Sequence, residues 1–289
     1  RDLVSKLGHE PKSGIDRIKA VKPELDPKEI IGHYPSAKAK PYDMREILKR
    51  VVDGSELTEY KEGYGKSIIT AYARIDGWSV GIVANDRQVV KNAKGEMQFG
   101  GVIYSDSADK AARFIMNCNQ KKIPLVFFHD VSGFMVGKRS EHGGIIKDGA
   151  KMVNAVSNST VPKFSIVVGN SYGAGNYAMC GKAYDPRFII GWPTAKIAVM
   201  GGAQAAKVLT QIQVSSMKAK GEVDEAAETE LHNKIKDRYE EQTSPYYAAS
   251  RIWLDAIIDP RETRDWLSMG LRVADSAQIE KFNVGVIQT

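Results

Sequence analysis

The sequence predicts an α/β domain in which helices cover the faces of a mostly buried sheet. Short apolar runs rich in β-branched and aromatic residues, such as Phe164–Val168, recur along the chain and are too short for helices. Between them lie segments with apolar residues at three- and four-residue spacing, a pattern typical of amphipathic helices. Strands that alternate with helices form a sheet whose faces the helices cover.

Composition allows one large domain or two small ones and excludes several classes of function. Of the 289 residues, 43% are hydrophobic and 26% are charged, which is enough for a sizeable core. The net charge of +6 comes from basic residues interleaved with acids, without the basic and aromatic runs of a nucleic-acid-binding face. No apolar run is long enough to span a membrane, and no signal peptide opens the chain. We therefore expect neither nucleic-acid nor membrane contact.

The cysteines and histidines show no pattern typical of a metal site. Cys118 and Cys180 are the only cysteines, and both lie in apolar contexts that are typical of buried, reduced thiols. The five histidines lack the spacing of metal ligands, so we expect no metal in this domain. Because the chain opens on Arg1 rather than Met, we expect it to be processed, trimmed or excised.

The first 41 residues are predicted to form an extended linker. They hold five of the 11 prolines and show little apolar periodicity. Folding is predicted to begin at Tyr42, where Asp43 and Glu46 have the spacing of a capping box before a short helix that ends at Gly54. The predicted domain therefore spans residues 42–289.

A hairpin and a series of alternating elements follow. Ser67–Ile75 and Trp78–Ala84 flank Asp76-Gly77, a dipeptide typical of two-residue hairpin turns. The next predicted elements are the helix Ser105–Asn117, the strand Ile123–Phe128, the helix Ile145–Val156, the strand Phe164–Val168, the helix Ala174–Gly181, and the strands Arg187–Trp192 and Lys196–Met200.

The last third of the chain is predicted to be mostly helical. Residues of about 207–243 are predicted to form a charged helical hairpin or protruding arm with solvated faces, which Ser244-Pro245 ends. An apolar helix face is predicted for Tyr247–Ile257. The sequence Asp-Pro-Arg-Glu then starts a helix at residue 259, because it offers an N-cap and a first-turn proline, and Met269-Gly270 ends that helix.

The stretch Val161–Gly181 has the pattern of a functional turn. A short buried strand is followed by Gly169, Gly173 and Gly175, which allow tight turning and close backbone approach, and then by a helix. The start of a helix leaves backbone N–H groups unpaired, and together with the helix dipole they hold an anion. If the anion forms during a reaction, the same turn is an oxyanion hole.

Four interpretations of this turn are open from the residues alone. Gly173-x-Gly175-x-x-Ala178 resembles a dinucleotide fingerprint, but the acidic residue expected about 20 positions later is missing. Gly169-x-Ser171-x-Gly173 matches a nucleophile elbow, in which Ser171 would need a later histidine, and His232 is the only one. Alternatively, the first amides of the helix stabilise an oxyanion without a side-chain nucleophile, or the glycines only let a helix pack on a sheet.

Five blocks of the sequence resemble a known family. They are Asp130–Gly137, Gly144–Val153, Ser171–Gly181, Trp192–Gly202 and Asp255–Arg264. Together they resemble the carboxyltransferase (beta) subunits of biotin-dependent acyl-CoA carboxylases, most of all the methylcrotonyl-CoA carboxylase type. The related glutaconyl-CoA decarboxylase carboxyltransferase subunit shares much of the pattern. The resemblance covers Tyr42–Leu271 and implies a crotonase-like (ClpP/crotonase) superhelix of repeated ββα units, here the C-terminal of the family's two halves.

The resemblance also implies a reaction and its residues. This half would bind carboxybiotin and transfer its carboxyl group to the α-carbon of an acyl-CoA, or to the γ-carbon of an unsaturated acyl group. Matching the family motif places the backbone oxyanion hole at Ala174 and Gly175. The residues implied to bind the biotin are Gly133, Phe134, Gly173, Gly201 and Gly202. Lys138 and Arg139 either meet a phosphate or carboxylate or form a solvated loop tip.

The resemblance implies partners as well as alternatives. The partners are a biotin carboxyl carrier protein or domain, biotin carboxylase, an acyl-CoA, and the N-terminal carboxyltransferase half, as a separate chain or a removed part of the same chain. The missing half would leave apolar surface exposed, so we expect a homo-oligomer. The expected location is cytoplasmic, or the mitochondrial matrix in a eukaryote. The alternatives are a carboxyltransferase subunit of a biotin-dependent acyl-CoA decarboxylase (glutaconyl-CoA or methylmalonyl-CoA type), a serine hydrolase using Ser171, and a catalytically silent scaffold.

Overall fold

An eight-stranded, mostly parallel sheet forms the centre of the protein. The computed structural model describes residues 6, 10–35, 40–218, 225–283 and 285. The strands are β1 (Thr58–Glu59), β2 (Ile68–Ile75), β3 (Trp78–Asn85), β4 (Val90–Lys91), β5 (Met97–Gln98), β6 (Val102–Ile103), β7 (Leu125–Val131), β8 (Gly133–Phe134), β9 (Lys163–Tyr172), β10 (Phe188–Gly191), β11 (Lys196–Ala198) and β12 (Ala256–Ile257). The central sheet has the order β1-β2-β3-β7-β9-β10-β12, with β11 also paired to β9.

The predicted hairpin is confirmed near one edge of this sheet. β2 and β3 pair antiparallel, with Ile75 opposite Trp78. Asp76 and Gly77 between them have φ angles of 52° and 80°. Two left-handed residues in a row are what a two-residue hairpin turn of the favoured twist requires. From β3 onwards, β7, β9, β10 and β12 are parallel to their neighbours.

Helices cover both faces of the sheet, as predicted. They are α1 (Ile30–His33), α2 (Met44–Lys49), α3 (Ser105–Gln120), α4 (Lys138–His142), α5 (Ile145–Ser157), α6 (Gly173–Ala178), α7 (Gly202–Lys218), α8 (Glu225–Gln242), α9 (Pro245–Ser250) and α10 (Thr263–Ala274). Gly81 of β3 lies against α3, and its partner Leu125 pairs in turn with Lys163 of β9. Phe164 is one residue further on and therefore faces the other side, where it contacts Gly270 of α10.

The segment predicted as an extended linker lies along the domain where the structure describes it. Arg17 forms a bridge to Trp78, and the Ile18 amide donates to the Gly77 carbonyl at 3.0 Å. Ile30 of α1 is buried. The division of the chain before Tyr42 stays a prediction.

The helix predicted after Asp43 is α2. The Asp43 side chain accepts a hydrogen bond from the Arg45 amide at 2.9 Å, as an N-cap should. The helix ends at Lys49 rather than at Gly54, where a separate 3₁₀ turn, Asp53–Ser55, contains Gly54 with a φ of 60°.

The prediction of one apolar helix face over Tyr247–Ile257 is wrong. The helix α9 ends at Ser250, and Ile252 has a φ of 61°, which turns the chain. β12 then adds to β10 as a parallel edge strand. A Cβ atom at Gly191 of β10 would lie 2.8 Å from the Leu254 side chain. The packing at this edge of the sheet therefore depends on a contact between residues far apart in the sequence.

The predicted end of the last helix at Met269-Gly270 is also wrong, because α10 continues to Ala274. A Cβ atom at position 270 would lie 2.3 Å from the Phe188 ring and 2.8 Å from the Phe164 ring. Gly270 therefore serves close packing of the helix on the sheet and does not cap the helix.

The predicted charged arm is a pair of helices, α7 and α8. They run antiparallel, since Thr210 lies 3.3 Å from His232 and Gly202 lies beside Tyr239 and Glu240. The part of the arm at residues 219–224 lies outside the described residues.

Packing at Gly270 leads to a first testable expectation. Replacing Gly270→Ala places a methyl group against two buried rings, so we expect the free energy of unfolding to fall by roughly 1–3 kcal/mol. Gly32→Ala is the matched control, because Gly32 is also helical and an added Cβ meets nothing within 4 Å. Urea denaturation of both variants measures the effect, and equal stability of the two would contradict it.

A second expectation concerns His129 of β7, which is fully buried. Burial lowers its pKa to about 3, so it stays neutral in the folded protein. In the unfolded chain the His129 imidazole takes up a proton below about pH 6.5, which it does not do in the folded protein. The free energy of unfolding should therefore fall by roughly 1.4 kcal/mol per pH unit as the pH falls from 6.5 towards 3. Urea denaturation across this range should show a shallower pH dependence for His129→Gln, and identical slopes would exclude the effect.

Candidate active site

The glycine turn joins β9 directly to α6, with no loop between strand and helix. Gly173 starts the helix with a φ of +51°, a conformation that favours glycine. A Cβ atom there would lie 2.7 Å from the Val199 carbonyl oxygen. Both the backbone angle and the available space therefore require glycine at this corner.

The amides of Ala174 and Gly175 lie in the first turn of α6, where a helix leaves its N–H groups without intrahelical partners. Among the residues that the structure describes, none accepts a hydrogen bond from either amide. Ala174 is exposed, whereas Gly175 is buried. These two predicted residues thus present donors at the start of a helix, where the dipole favours negative charge.

Gly175 also brings the two predicted turns together. A Cβ atom at Gly175 would lie 2.7 Å from Val131 and 3.2 Å from the Gly133 Cα atom. The absence of a side chain therefore lets α6 pack against the end of β7 and the start of β8. Gly133, which the sequence predicted as a binding residue, lies next to the predicted amide pair.

An open cleft of about 500 Å³ lies beside Gly173 and Ala174. Its other lining residues are Asn176, Tyr177, Ile197, Ala198, Val199, Tyr239, Gln242, Thr243, Tyr247 and Trp253. The volume is within the range of small-molecule sites, and aromatic walls with a few polar groups are typical of them. The cleft is therefore large enough for a compact ring system beside Ala174.

The remaining predicted binding residues are absent from the wall of this cleft, and Phe134 lies in a different pocket. Gly201 and Gly202 precede or begin α7, and added Cβ atoms there would meet only ordinary contacts at 3.7 Å, to Tyr172 at the first and to Tyr239 and Glu240 at the second. Phe134 points its ring at Gly149 of α5, away from the cleft.

Phe134 instead lines a second, apolar pocket of about 390 Å³. Met135, Val136 and Ile146 line the same pocket, and Val136 and Ile146 are 75% and 71% exposed. On the neighbouring helix α4, Arg139 is an exposed side chain that forms an ion pair with Glu96.

Ser171, the nucleophile of the hydrolase alternative, is fully buried. Its hydroxyl accepts a hydrogen bond from the Asn176 side-chain amide at 2.8 Å and lies 2.9 Å from the His129 Nδ1 atom. His232, the histidine considered from the sequence, lies on the arm beside Thr210. His129 was missed because only a later histidine was sought.

The His129–Ser171 pair does not have the properties of a nucleophile and its base. A general base works best with a pKa near the operating pH, and burial lowers the pKa of His129 to about 3. The Ser171 hydroxyl is closed off from the cleft. The pair instead links β7 to β9 by a hydrogen bond, and the hydrogen bond from Asn176 links Ser171 to α6.

The described residues offer neither a metal site nor a membrane span. No group of three or more His, Cys, Asp or Glu side chains among them could hold a metal ion. No helix in the described part of the chain is long and apolar enough to cross a membrane.

Comparisons with known proteins place this chain in a family. The sequence matches the carboxyl transferase domain over residues 1–284. It is 44% identical over 274 residues to the biotin-dependent 3-methylcrotonyl-coenzyme A carboxylase beta1 subunit of Mycobacterium tuberculosis, covering 94% of this chain and 49% of the relative. It is 43% identical over 287 residues to the mitochondrial methylcrotonoyl-CoA carboxylase beta chain of Arabidopsis thaliana, covering 99% and 46%.

Solved structures agree with the sequence matches. The beta subunit of geranyl-CoA carboxylase from P. aeruginosa superposes with a TM-score of 0.79 at 36% identity, over 99% of this chain and 52% of that one. The transcarboxylase 12S structure, described as a hexamer assembly, gives 0.80 at 33% identity, over 95% and 51%. The chain thus spans about half the length of the relatives it matches. The α/β, crotonase-like fold that the resemblance implied is confirmed by these superpositions, and the chain belongs to the carboxyl transferase domain family.

Proposed function

We propose that this chain is the carboxyltransferase half that takes a carboxyl group from carboxybiotin and transfers it to an acyl-CoA, at the α-carbon or at the γ-carbon of an unsaturated acyl group. The observation that carries the proposal is the pair of unpaired amides at Ala174 and Gly175 beside a cleft of about 500 Å³. The names of the related β subunits support the choice of biotin and acyl-CoA.

The protein's contribution to the reaction is the placement of hydrogen-bond donors. The amides of Ala174 and Gly175 would hold the ureido oxygen of biotin by hydrogen bonds, and fixed donors of this kind stabilise negative charge. Bound carboxybiotin supplies the carboxyl group and, once it is released, the basic ureido nitrogen. No side chain of the cleft therefore needs a pKa near neutrality. This agrees with the lining, which consists of aromatic, aliphatic and small residues, one threonine and the carboxamide side chains of Asn176 and Gln242.

The proposed carrier of the biotin is a separate biotin carboxyl carrier protein or domain, charged by biotin carboxylase. Gly173 adjoins the amide pair and Gly133 contacts Gly175, whereas Gly201 lies beside Tyr172 and Gly202 beside Tyr239. The proposed role of these four glycines is to leave room for the ring. No metal ion is required by this chemistry. We propose a cytoplasmic location, or the mitochondrial matrix in a eukaryote, in line with the names of the eukaryotic relatives.

The other proposed partner is the N-terminal carboxyltransferase half, which supplies most of the acyl-CoA site. The chain spans about half of its relatives' length. The apolar pocket with exposed Val136 and Ile146 is suited to cover by such a half, since apolar openings of this kind mark interfaces. Assembly into a homo-oligomer is proposed on the same ground.

Removal of one amide tests the proposed function. Ala174→Pro deletes the N–H group of residue 174. This residue precedes the first amide that donates within the helix, so no intrahelical hydrogen bond is broken. We expect carboxyl transfer by the assembled enzyme to fall by about 10²–10³-fold in kcat. Ala174→Ser keeps the amide and should lose far less. Bicarbonate-dependent carboxylation of methylcrotonyl-CoA is the assay, and full activity of the proline variant would rule out the amide assignment.

The hydrolase alternative is tested at Ser171. Ser171→Ala removes two hydrogen bonds but no amide of the turn. Such bonds are worth about 1 kcal/mol each, so we expect carboxyl transfer to drop by about 30-fold at most. Because the hydroxyl is buried, a fluorophosphonate probe should leave Ser171 unlabelled in the parent chain. Complete loss of activity, together with labelling of Ser171, would favour the hydrolase.

A further inference from the structure

The register between the two central strands breaks beside the active-site turn. β9 takes four steps from Val167 to Ser171 where β7 takes two, from His129 to Val131. Within this irregularity the Asn170 amide donates to a side chain of β7. Such bulges bend a strand and are frequent next to active sites.

The side chain of Asp130 occupies this bulge. Its Oδ1 atom accepts a hydrogen bond from the Asn170 amide at 2.9 Å. A Cβ atom at Gly169 would lie 2.6 Å from the same carboxylate, so the glycine leaves the room that Asp130 fills. The first glycine of Gly169-x-Ser171-x-Gly173 is therefore explained by this carboxylate and not by a nucleophile elbow.

The second oxygen of Asp130 is held from the other direction. Tyr42 donates its hydroxyl to Oδ2 at 2.9 Å, and the Arg87 Nε atom lies 3.4 Å from it. Arg87 also reaches the Ser132 hydroxyl at 3.4 Å. Ser132 directly precedes Gly133, so this group of contacts extends to the second turn.

Asp130 is 3% exposed, and burial raises the pKa of its carboxyl, which the ion pair with Arg87 and the bonds from Asn170 and Tyr42 oppose. A buried carboxylate is costly unless its oxygens are satisfied. Here each oxygen is satisfied by a group from a different element around the site, so its contacts restrain several elements at once.

We propose that Asp130 is a positioning residue that holds the end of β9, and with it the amides of Ala174 and Gly175, in register with the turn at Gly133. The inference rests on the proposed function and assigns a role to a side chain that contacts neither cleft nor substrate. If the amides stabilise the transition state, displacing them by about 1 Å is enough to lower the reaction rate by about 10²-fold.

The test uses three variants in the assembled enzyme. Asp130→Ala removes both oxygens, and we expect kcat to fall by about 10²-fold with the KM for acyl-CoA changed less than about twofold. Asp130→Asn keeps an acceptor for the Asn170 amide and should recover about tenfold of this loss. Asp109→Asn is the matched control, because Asp109 of α3 forms an ion pair with Lys151 of α5 and not with the strands at the turn. Its kcat should stay at the parent value.

Hydrogen–deuterium exchange on the same assemblies separates positioning from general stability and from the proposed function. In Asp130→Ala we expect faster exchange confined to peptides that contain residues 168–172 and 132–134, with the β2–β3 hairpin unchanged. If Asp130→Ala fails to assemble, Asp130→Asn and Tyr42→Phe give the same readout at smaller amplitude. Unchanged exchange at Asn170, a uniform increase across the sheet, or a loss in KM alone would overturn the role of Asp130. Failure of the Ala174→Pro prediction would overturn the amide assignment and leave this exchange result standing.

Discussion

A helix that begins at the end of a buried parallel strand cannot pair its own first amides, and the site depends on this constraint. β9 passes into α6 through Gly173 without a loop. Among the described residues, no carbonyl accepts a hydrogen bond from the Ala174 or Gly175 amide, and Ala174 lines the cleft. Stabilisation of negative charge there requires no ionised group, only fixed dipoles in a partly enclosed place.

The two central strands keep this corner in place from both sides of the sheet. His129 and Asp130 are neighbours in β7 and point to opposite faces, as consecutive strand residues do. They bond to Ser171 and to the Asn170 amide, which are neighbours in β9. The side chains of His129 and Asp130 thus hold the same two-residue segment of β9.

Local signals in the sequence were sufficient for some of this and insufficient for the rest. The Asp76-Gly77 turn and the Gly173 corner were predictable because each is determined by residues that adjoin it. The extension of α10 past Gly270 was not, because Phe188 and Phe164, which explain that glycine, lie 82 and 106 positions earlier in the sequence. β12 was missed because two residues are too few for a period, and only pairing with β10 defines them. His129 and Asp130 meet their partners about 40 residues away, and no spacing rule connects them.

The donors of the glycine corner belong to the main chain, and this has a consequence for how the site can vary. Side chains along the cleft can drift while the two N–H groups persist, provided that Gly173 keeps its backbone angle. An alanine scan would give no signal at position 174, which is already alanine, and would detect the corner only through Gly173 and Gly175, where an added Cβ has no room. The position of these N–H donors therefore depends on the backbone conformation and not on the residue type at position 174.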